Sequence, residues 1–265
     1  MPNDVIDLRR FYAAPLGHVS RRFVGAAMMK LWPNVARQRL AGIGFALPYL
    51  ALFKDQAERS LAFMPGTQGV VNWPAAGLSA SALVEPTLLP LADSSLDRVM
   101  LVHGLEVSEH PDALMEDIWR VLAPGGRLIV VVPNRRGLWA RMDTTPFGYG
   151  QPYSRSQIEG LMRRTLFTPE GWAETLYVPP FQRRWLITSA AAWEGTASRL
   201  GLPFAGVHVV DATKQLHRAV PARRVRPQFV LRPLMLPSPS AMGRGLGQSQ
   251  LAMAQTPHDA GEKNG

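Results

Sequence analysis

The sequence contains no cysteine among its 265 residues. A disulfide framework, a thiolate metal site and a cysteine nucleophile are therefore excluded, and the absence is typical of a reducing compartment. Long apolar runs are also missing, because no stretch reaches the roughly 18 residues that a membrane-spanning helix requires. Asp4, Asp7, Arg9 and Arg10 interrupt the segment in which a signal peptide needs its apolar core. We therefore expect a cytoplasmic protein with no membrane span.

Acidic residues are scarce beside basic ones, with 20 Asp and Glu against 29 Lys and Arg, and the net charge is +9. Such an excess is compatible with nucleic-acid binding. The arginines are scattered in pairs, however, and aromatic residues are not interleaved with them as base stacking requires. Solvated arginine-rich faces are therefore favoured over a phosphate-binding surface. The six histidines show no ligand spacing, so we expect no metal site.

Apolar segments alternate between helical and strand patterns along most of the chain. Two helices are predicted in residues 4–31, where Pro15 and Gly17 separate them. Strands are predicted at 39–43, 60–64, 82–84, 97–102 and 128–132, with helices starting near Pro48 and spanning 111–122. Further along, the pattern predicts a helix at 154–165 and extended pieces at 174–178 and 207–211, with a helix between them.

This alternation predicts an α/β fold with a mainly parallel sheet. We expect one domain over residues 1–235. Residues 236–265 are rich in Pro, Gly, Ser and Gln without a periodic apolar pattern, and they are predicted to be a disordered tail.

The most informative segment is LPLADSSLDRVMLVHGLEVSEHPDALMEDIWRVLAPGGRLIVVVPN, residues 89–134. It resembles the second half of class I S-adenosylmethionine-dependent methyltransferases of the small-molecule "type 11" group. In that family an L-P-F-x-D-x-S-F-D entry precedes the fourth strand, and R-V-L-x-P-G-G precedes the fifth. The glycines of Pro124–Gly126 suit a tight turn, because glycine tolerates positive φ. We interpret them as that turn rather than as a phosphate cradle.

The resemblance implies a Rossmann-like, seven-stranded, mainly parallel sheet with helices on both faces, and S-adenosyl-L-methionine as cofactor. The family's D/E-x-G-x-G-x-G cofactor loop corresponds to LAGIGFALPYL, residues 40–50. In that register Gly42 stands at the acidic position, Gly44 at the first glycine, Ala46 at the second and Pro48 at the third. The resemblance therefore assigns Gly42, Gly44 and Ala46 to the cofactor site in a degenerate form of the loop.

Carboxylates of the family's cofactor site are retained only in part. Counting back from the L-P entry, Glu85 falls on the acid that contacts the adenine amino group; a surface glutamate ahead of Pro86 is the alternative. The acid that holds the ribose hydroxyls belongs in the window 60–69, which contains none. Glu58 is the nearest upstream acid, and a solvated surface role is favoured for it.

Candidates for the acceptor side of the site follow the fourth and fifth strands, where ligands bind in open α/β sheets. They are His103, Asn134, Tyr149 and Tyr153. His103 could instead contact the cofactor or serve packing. Residues 145–154 form either a glycine-hinged loop over the pocket or a packed linker, and helices 4–31 form either a lid or a cover on one face of the sheet.

These features favour a methyltransferase acting on a small-molecule acceptor. Methyl transfer requires mainly alignment and exclusion of water, so the lack of an evident catalytic dyad does not count against it. The eroded loop favours, as an alternative, a non-catalytic pseudo-methyltransferase that serves as a binding or regulatory module. A nucleic-acid amine methyltransferase is not indicated, because no N/D/S-P-P-Y/F motif follows the fourth strand. An RNA methyltransferase is supported by the charge alone and is less favoured. The sequence names neither the acceptor nor an oligomeric state.

Overall fold

The computed structural model describes residues 4–181, 183–199 and 204–216. The tail predicted at 236–265 lies outside the described residues, so it and the boundary at 235 stay predictions. The helices are α1 (Val5–Ala13), α2 (Pro15–Leu31), α3 (Leu47–Leu50), α4 (Pro111–Val121), α5 (Arg155–Arg164), α6 (Arg184–Thr188) and α7 (Ala190–Arg199). The strands are β1 (Arg39–Gly44), β2 (Arg59–Pro65), β3 (Ser81–Val84), β4 (Leu96–Val102), β5 (Leu122–Pro133), β6 (Phe167–Thr175) and β7 (Val207–Lys214).

The seven strands form a single sheet in the order β3-β2-β1-β4-β5-β7-β6. The first five strands pair in parallel, whereas β7 runs antiparallel to both β5 and β6. The order reverses direction between β1 and β4, where ligands bind beyond the carboxyl ends of the strands in open α/β sheets. The predicted Rossmann-like, mainly parallel, seven-stranded sheet is confirmed.

Alternating side chains of the strands form two separate hydrophobic cores, one on each face of the sheet. On β1, Leu40 belongs to the core under α1, α2 and α3, whereas Ala41 and Ile43 belong to the core under α4 and α5. Strand residues alternate because successive side chains point to opposite faces. The sheet is therefore covered on both faces, as the uninterrupted apolar strands indicate.

Two predicted elements differ from the structure. The helix predicted near Pro48 is only four residues long, α3, and turns follow it as far as β2. The extended piece predicted at 174–178 lies too late, because β6 ends at Thr175. β6 is an edge strand with a register shift between Pro169 and Gly171, so its apolar alternation is weak.

Helix α1 lies across the carboxyl ends of several strands. The Val5 amide donates to the carbonyl of Gln68, after β2, over 2.7 Å. The Tyr12 hydroxyl is 2.8 Å from His103 Nε2, after β4, and the Phe11 ring is 6.2 Å from that of Phe147, after β5. The N-terminal helices therefore cover the edge of the sheet at which ligands are expected.

Within the part of the chain that the structure describes, no helix has the length and apolar character needed to cross a membrane. The cytoplasmic location expected from the sequence stays a prediction.

Asp211 on β7 anchors the end of α2 to the sheet. Its buried carboxylate accepts hydrogen bonds from Trp32 Nε1 over 2.9 Å and from the Arg127 guanidinium. We expect Asp211→Ala to lower the free energy of unfolding by about 3 kcal/mol, because an indole donor and a half-buried cation lose their acceptor. Urea denaturation measures this change. Asp7→Ala, which breaks an exposed pair with Arg10, should have little effect, and equal losses in the two variants contradict the anchoring role.

Candidate functional site

The carboxyl ends of β1 and β4 approach each other closely at Gly44. This residue has φ of +77°, and a Cβ built on it would lie 2.3 Å from the carbonyl oxygen of Val102. Any side chain is therefore excluded both by the backbone conformation and by contact with β4. A Cβ built on Gly42 would lie 2.7 Å from the Cβ of Ala46, so a side chain at position 42 would collide with Ala46.

A cavity of about 750 Å³, which we call the first cavity, opens beside this contact. The ends of β1 to β4 and the start of α4 form its walls. The lining residues are Ile43, Pro65, Gly66, Thr67, Leu83, Val84, Glu85, Pro86, Thr87, Gly104, Val107, Ser108, Glu109, His110 and Leu114. Of the predicted cofactor residues, only Glu85 lines this cavity. Gly42, Gly44, Ala46 and His103 do not line it, although Gly44 and His103 are next in the chain to the lining residues Ile43 and Gly104.

Glu85 follows the last residue of β3 and is solvent-exposed. Its Oε1 accepts hydrogen bonds from the Thr87 amide over 3.3 Å and from the Thr87 hydroxyl over 3.0 Å. Both bonds use the same oxygen, so Thr87 fixes the carboxylate without occupying Oε2. The arrangement presents a negatively charged acceptor at one end of the first cavity.

Pro65, the last residue of β2, and the loop residues Gly66 and Thr67 line the first cavity, and none of them is acidic. Glu58 precedes β2, and its amide bonds to the carbonyl of Gln38 before β1. It therefore lies at the amino ends of the strands, opposite the cavity. The site has no carboxylate where the family holds the ribose, but the hydroxyls of Thr67 and Ser108 line the same cavity.

Gln68 is a buried residue of the same loop that the sequence analysis does not single out. Its Nε2 donates to the carbonyl oxygen of His103 after β4. Because β1 lies between β2 and β4 in the sheet, this side chain crosses the carboxyl end of β1. Its Oε1 is buried without a hydrogen-bond partner among the described residues. The sequence signal that could have identified Gln68 is its position in the window 60–69, where the family's ribose-binding acid is expected.

His103 is fully buried and adopts φ of +51°. Its Nδ1 is 3.2 Å from Oε1 of Glu106 and its Nε2 is 2.8 Å from the hydroxyl of Tyr12, which in turn is 3.0 Å from that of Tyr49. If Nδ1–H donates to the carboxylate, Nε2 accepts from Tyr12, and Tyr12 accepts from Tyr49. The structure therefore joins a carboxylate, an imidazole and two phenols in one buried chain.

The phenols of Tyr12 and Tyr49 in this hydrogen-bonded series stay protonated near neutral pH. Burial is the main cause that raises the pKa of Tyr12 well above its ordinary value, and Tyr49 and Glu106 raise it further. Burial also raises the pKa of Tyr49. Tyr12 can therefore pass a proton toward His103 only when it receives one in exchange.

The remaining acceptor candidates lie apart from the first cavity. Asn134 is buried, donating to the carbonyl of Ala205 over 2.9 Å and accepting from the Arg136 amide over 3.0 Å, so its side chain supports the loop after β5. Tyr153 forms an isolated bridge with Asn134 and is half-buried. Tyr149 lines a separate cavity of about 270 Å³ beside α1.

Residues 145–154 are packed against the loop that follows β4. The Gln151 amide donates to the carbonyl of Glu106 over 2.7 Å, and a Cβ on Gly150 would lie 2.2 Å from the same oxygen. A Cβ on Gly148 would lie 2.1 Å from the carbonyl of Met142. Of the two alternatives from the sequence, these contacts favour a packed linker.

Comparisons with known proteins agree with the fold. A family model described as "Methyltransferase domain" matches residues 41–130. A curated relative, "Demethylmenaquinone methyltransferase" from Thermus thermophilus, is 26% identical over 175 residues, which are 65% of this chain and 71% of the relative.

Solved structures share the fold at low identity. An S-adenosylmethionine-dependent methyltransferase from Mesorhizobium loti has a TM-score of 0.52 at 15% identity, over 71% of this chain and 96% of that one. A S-adenosylmethionine-dependent methyltransferase from Archaeoglobus fulgidus has a TM-score of 0.52 at 16% identity, over 72% and 93% of the two chains. The strand order and these likenesses establish the class I methyltransferase fold. With the family match, which is confined to residues 41–130, they make the chain similar to class I S-adenosylmethionine-dependent methyltransferases.

Gly44→Ala tests the contact between β1 and β4. We expect a loss of about 3 kcal/mol or more in the free energy of unfolding, because alanine is strained at this φ and its methyl group meets the Val102 carbonyl. Thermal and urea denaturation measure the loss. Gly66→Ala is the matched control, since a Cβ there meets nothing within 4 Å. If both variants are as stable as the unmodified protein, β1 and β4 do not approach each other at Gly44 as closely as described.

Proposed function

We propose that the chain transfers the methyl group of S-adenosylmethionine to a small organic acceptor and binds the adenosine part of the cofactor in the first cavity. The observation that carries the proposal is this cavity of about 750 Å³ at the carboxyl ends of β1 to β4, with the Glu85 carboxylate in its wall. Its size lies within the roughly 300–1,000 Å³ of small-molecule sites. Its position at the reversal of strand order is where such sheets bind nucleotides.

The lining residues suit an adenosine group. Ile43, Val84 and Leu114 offer apolar surface to a base, and Glu85 offers an acceptor to an amino group. Hydroxyls of Thr67 and Ser108 can bond to the ribose in place of the missing acid. These roles are part of the proposal. It also includes Gly42, Gly44 and Ala46, whose small size would shape the backbone beside the cofactor.

Bound S-adenosylmethionine supplies a methyl group on a positively charged sulfur, which is already activated for displacement. The chain therefore has to orient the acceptor, exclude water and remove any proton that the acceptor loses. The chemistry that bound S-adenosylmethionine would supply is displacement of its methyl group by the acceptor atom, with sulfur keeping the electron pair of the broken carbon–sulfur bond. The acceptor's proton moves to the Tyr12 oxygen while the Tyr12 proton passes to His103 Nε2, where Glu106 stabilises the imidazolium.

Two other functions are less well supported. A pseudo-methyltransferase is not favoured, because the cavity and Glu85 remain although the loop is degenerate. An RNA methyltransferase rests on net charge alone. The similarity to a protein named for the methylation of demethylmenaquinone supports a small organic acceptor instead.

Glu85→Gln tests the cofactor assignment. We expect the dissociation constant for S-adenosylhomocysteine to rise about tenfold or more, because a charge-assisted hydrogen bond is replaced by a weaker one. Isothermal calorimetry measures both proteins. Glu58→Gln, at the opposite edge of the sheet, should bind like the unmodified chain. Equal affinities for all three proteins would remove Glu85 from the site, and no binding by the unmodified chain at millimolar ligand would overturn the function.

A further inference from the structure

A second cavity of about 530 Å³ lies between α1, α2, the start of α3 and residues 71–75. Its walls include Tyr12, Phe45, Val71 and Trp73. The rings of Tyr12 and Phe45 are stacked at 5.7 Å between centroids with 24° between their planes. Because the two rings face each other and are almost completely buried, the pair offers the cavity only its outer surface, which is apolar and held in place by packing. A flat aromatic or similarly apolar molecule is complementary to such a wall.

The charged residues that line the second cavity are all basic. Arg9 from α1 and Arg21 from α2 line it, and no acidic residue does. Neither arginine forms an ion pair with any residue in the described ranges of the chain. Arg21 Nε donates to the carbonyl of Pro48 over 3.1 Å, which holds its guanidinium at the rim.

The first cavity and the cavity of about 270 Å³ carry a different balance of charges. Glu85 and Glu109 line the first cavity, and Asp7 and Asp143 join Arg10 in the cavity of about 270 Å³. A further cavity of about 400 Å³, lined by Arg21 and Arg22, also has no acidic residue, but no Phe, Tyr or Trp lines it. The second cavity is distinguished by the combination of two guanidinium groups with an aromatic wall. Guanidinium pairs with carboxylate or phosphate oxygens in preference to neutral groups.

The second cavity also adjoins the residues that act in the proposed function. Tyr12 lines it and bonds to His103. Along the loop after β2, residues 65–67 line the first cavity and residues 71–73 line the second, with Gln68 between them. An acceptor in the second cavity would therefore lie beside the proposed cofactor cavity and against the phenol that takes its proton.

We infer that the second cavity binds the methyl acceptor, and that this acceptor is a flat apolar small molecule with an anionic group that pairs with Arg9 and Arg21. The inference rests on the proposed function, because it takes the first cavity as the cofactor site.

The test uses 2-naphthoate as the anionic probe and 2-naphthalenemethanol as its neutral counterpart, titrated into the full chain saturated with S-adenosylhomocysteine. Calorimetry should show that the anion binds at least tenfold more tightly than the alcohol. The double variant Arg9→Gln, Arg21→Gln should lose that preference. The control variant Arg10→Gln, Arg22→Gln removes the same charge from adjacent exposed positions that do not line the cavity, and it should keep the preference.

Three results would overturn the inference. The first is the absence of naphthoate binding at 10 mM by a chain that binds S-adenosylhomocysteine. The second is an equal loss of preference in both double variants, which indicates a general charge effect. The third is weaker S-adenosylhomocysteine binding in the Arg9, Arg21 variant, which assigns these residues to the cofactor's own carboxylate. Failure of the unmodified chain to bind S-adenosylhomocysteine is a different result, since it overturns the proposed function itself.

Discussion

The contact between the carboxyl ends of β1 and β4 at Gly44 determines the geometry of everything around the site. Only a hydrogen atom fits at this position, because a Cβ built there would lie 2.3 Å from the Val102 carbonyl oxygen and 3.1 Å from the Gly104 amide nitrogen. The backbone after β4 then turns so that His103 points into the core while Gly104 lines the first cavity. A larger residue would force the strands apart at the point where the strand order reverses.

Helix α1 covers the site at the carboxyl ends of the strands. Its Tyr12 connects the aromatic wall of the second cavity to His103, and its first turn is tied to the loop after β2 through the carbonyl of Gln68. The two cavities therefore lie on either side of one loop, with the buried side chain of Gln68 crossing the end of β1 between them. Gln68 Oε1 and Glu106 Oε2 are buried without a hydrogen-bond partner among the described residues, so both side chains carry an unsatisfied polar atom beside the site.

The sequence predicts the fold well where the signals are local. Residues 89–134 contain strand and helix patterns that lie next to each other in the chain, and the structure has β4, α4 and β5 in those places. The predicted turn at Pro124–Gly126 differs, because β5 begins at Leu122 and includes it, with Gly125 at φ of +72° where the pairing with β4 shifts register. The edge strand β6 is misplaced because one of its sides is unpaired, which allows Pro169 and weakens its alternation.

The site is less predictable because its contacts join distant parts of the chain. Tyr12 meets His103 across 91 residues, and Gln68 meets the same residue across 35. No periodic pattern in the sequence marks either contact. The sequence shows α1 only as an amphipathic helix and does not indicate that its Tyr12 belongs to the site. Glu85 is different, because its distance from the Leu89-Pro90 motif places it at the end of β3, and the structure has it there.

The central claim is that the first cavity holds the adenosine part of the cofactor. A crystal structure of the chain with S-adenosylhomocysteine tests it most directly. The account predicts the adenine ring between the loops after β3 and β4, with its amino group within hydrogen-bonding distance of the Glu85 carboxylate. A ligand seated in the second cavity, or one whose adenine leaves Glu85 facing solvent, would contradict the account.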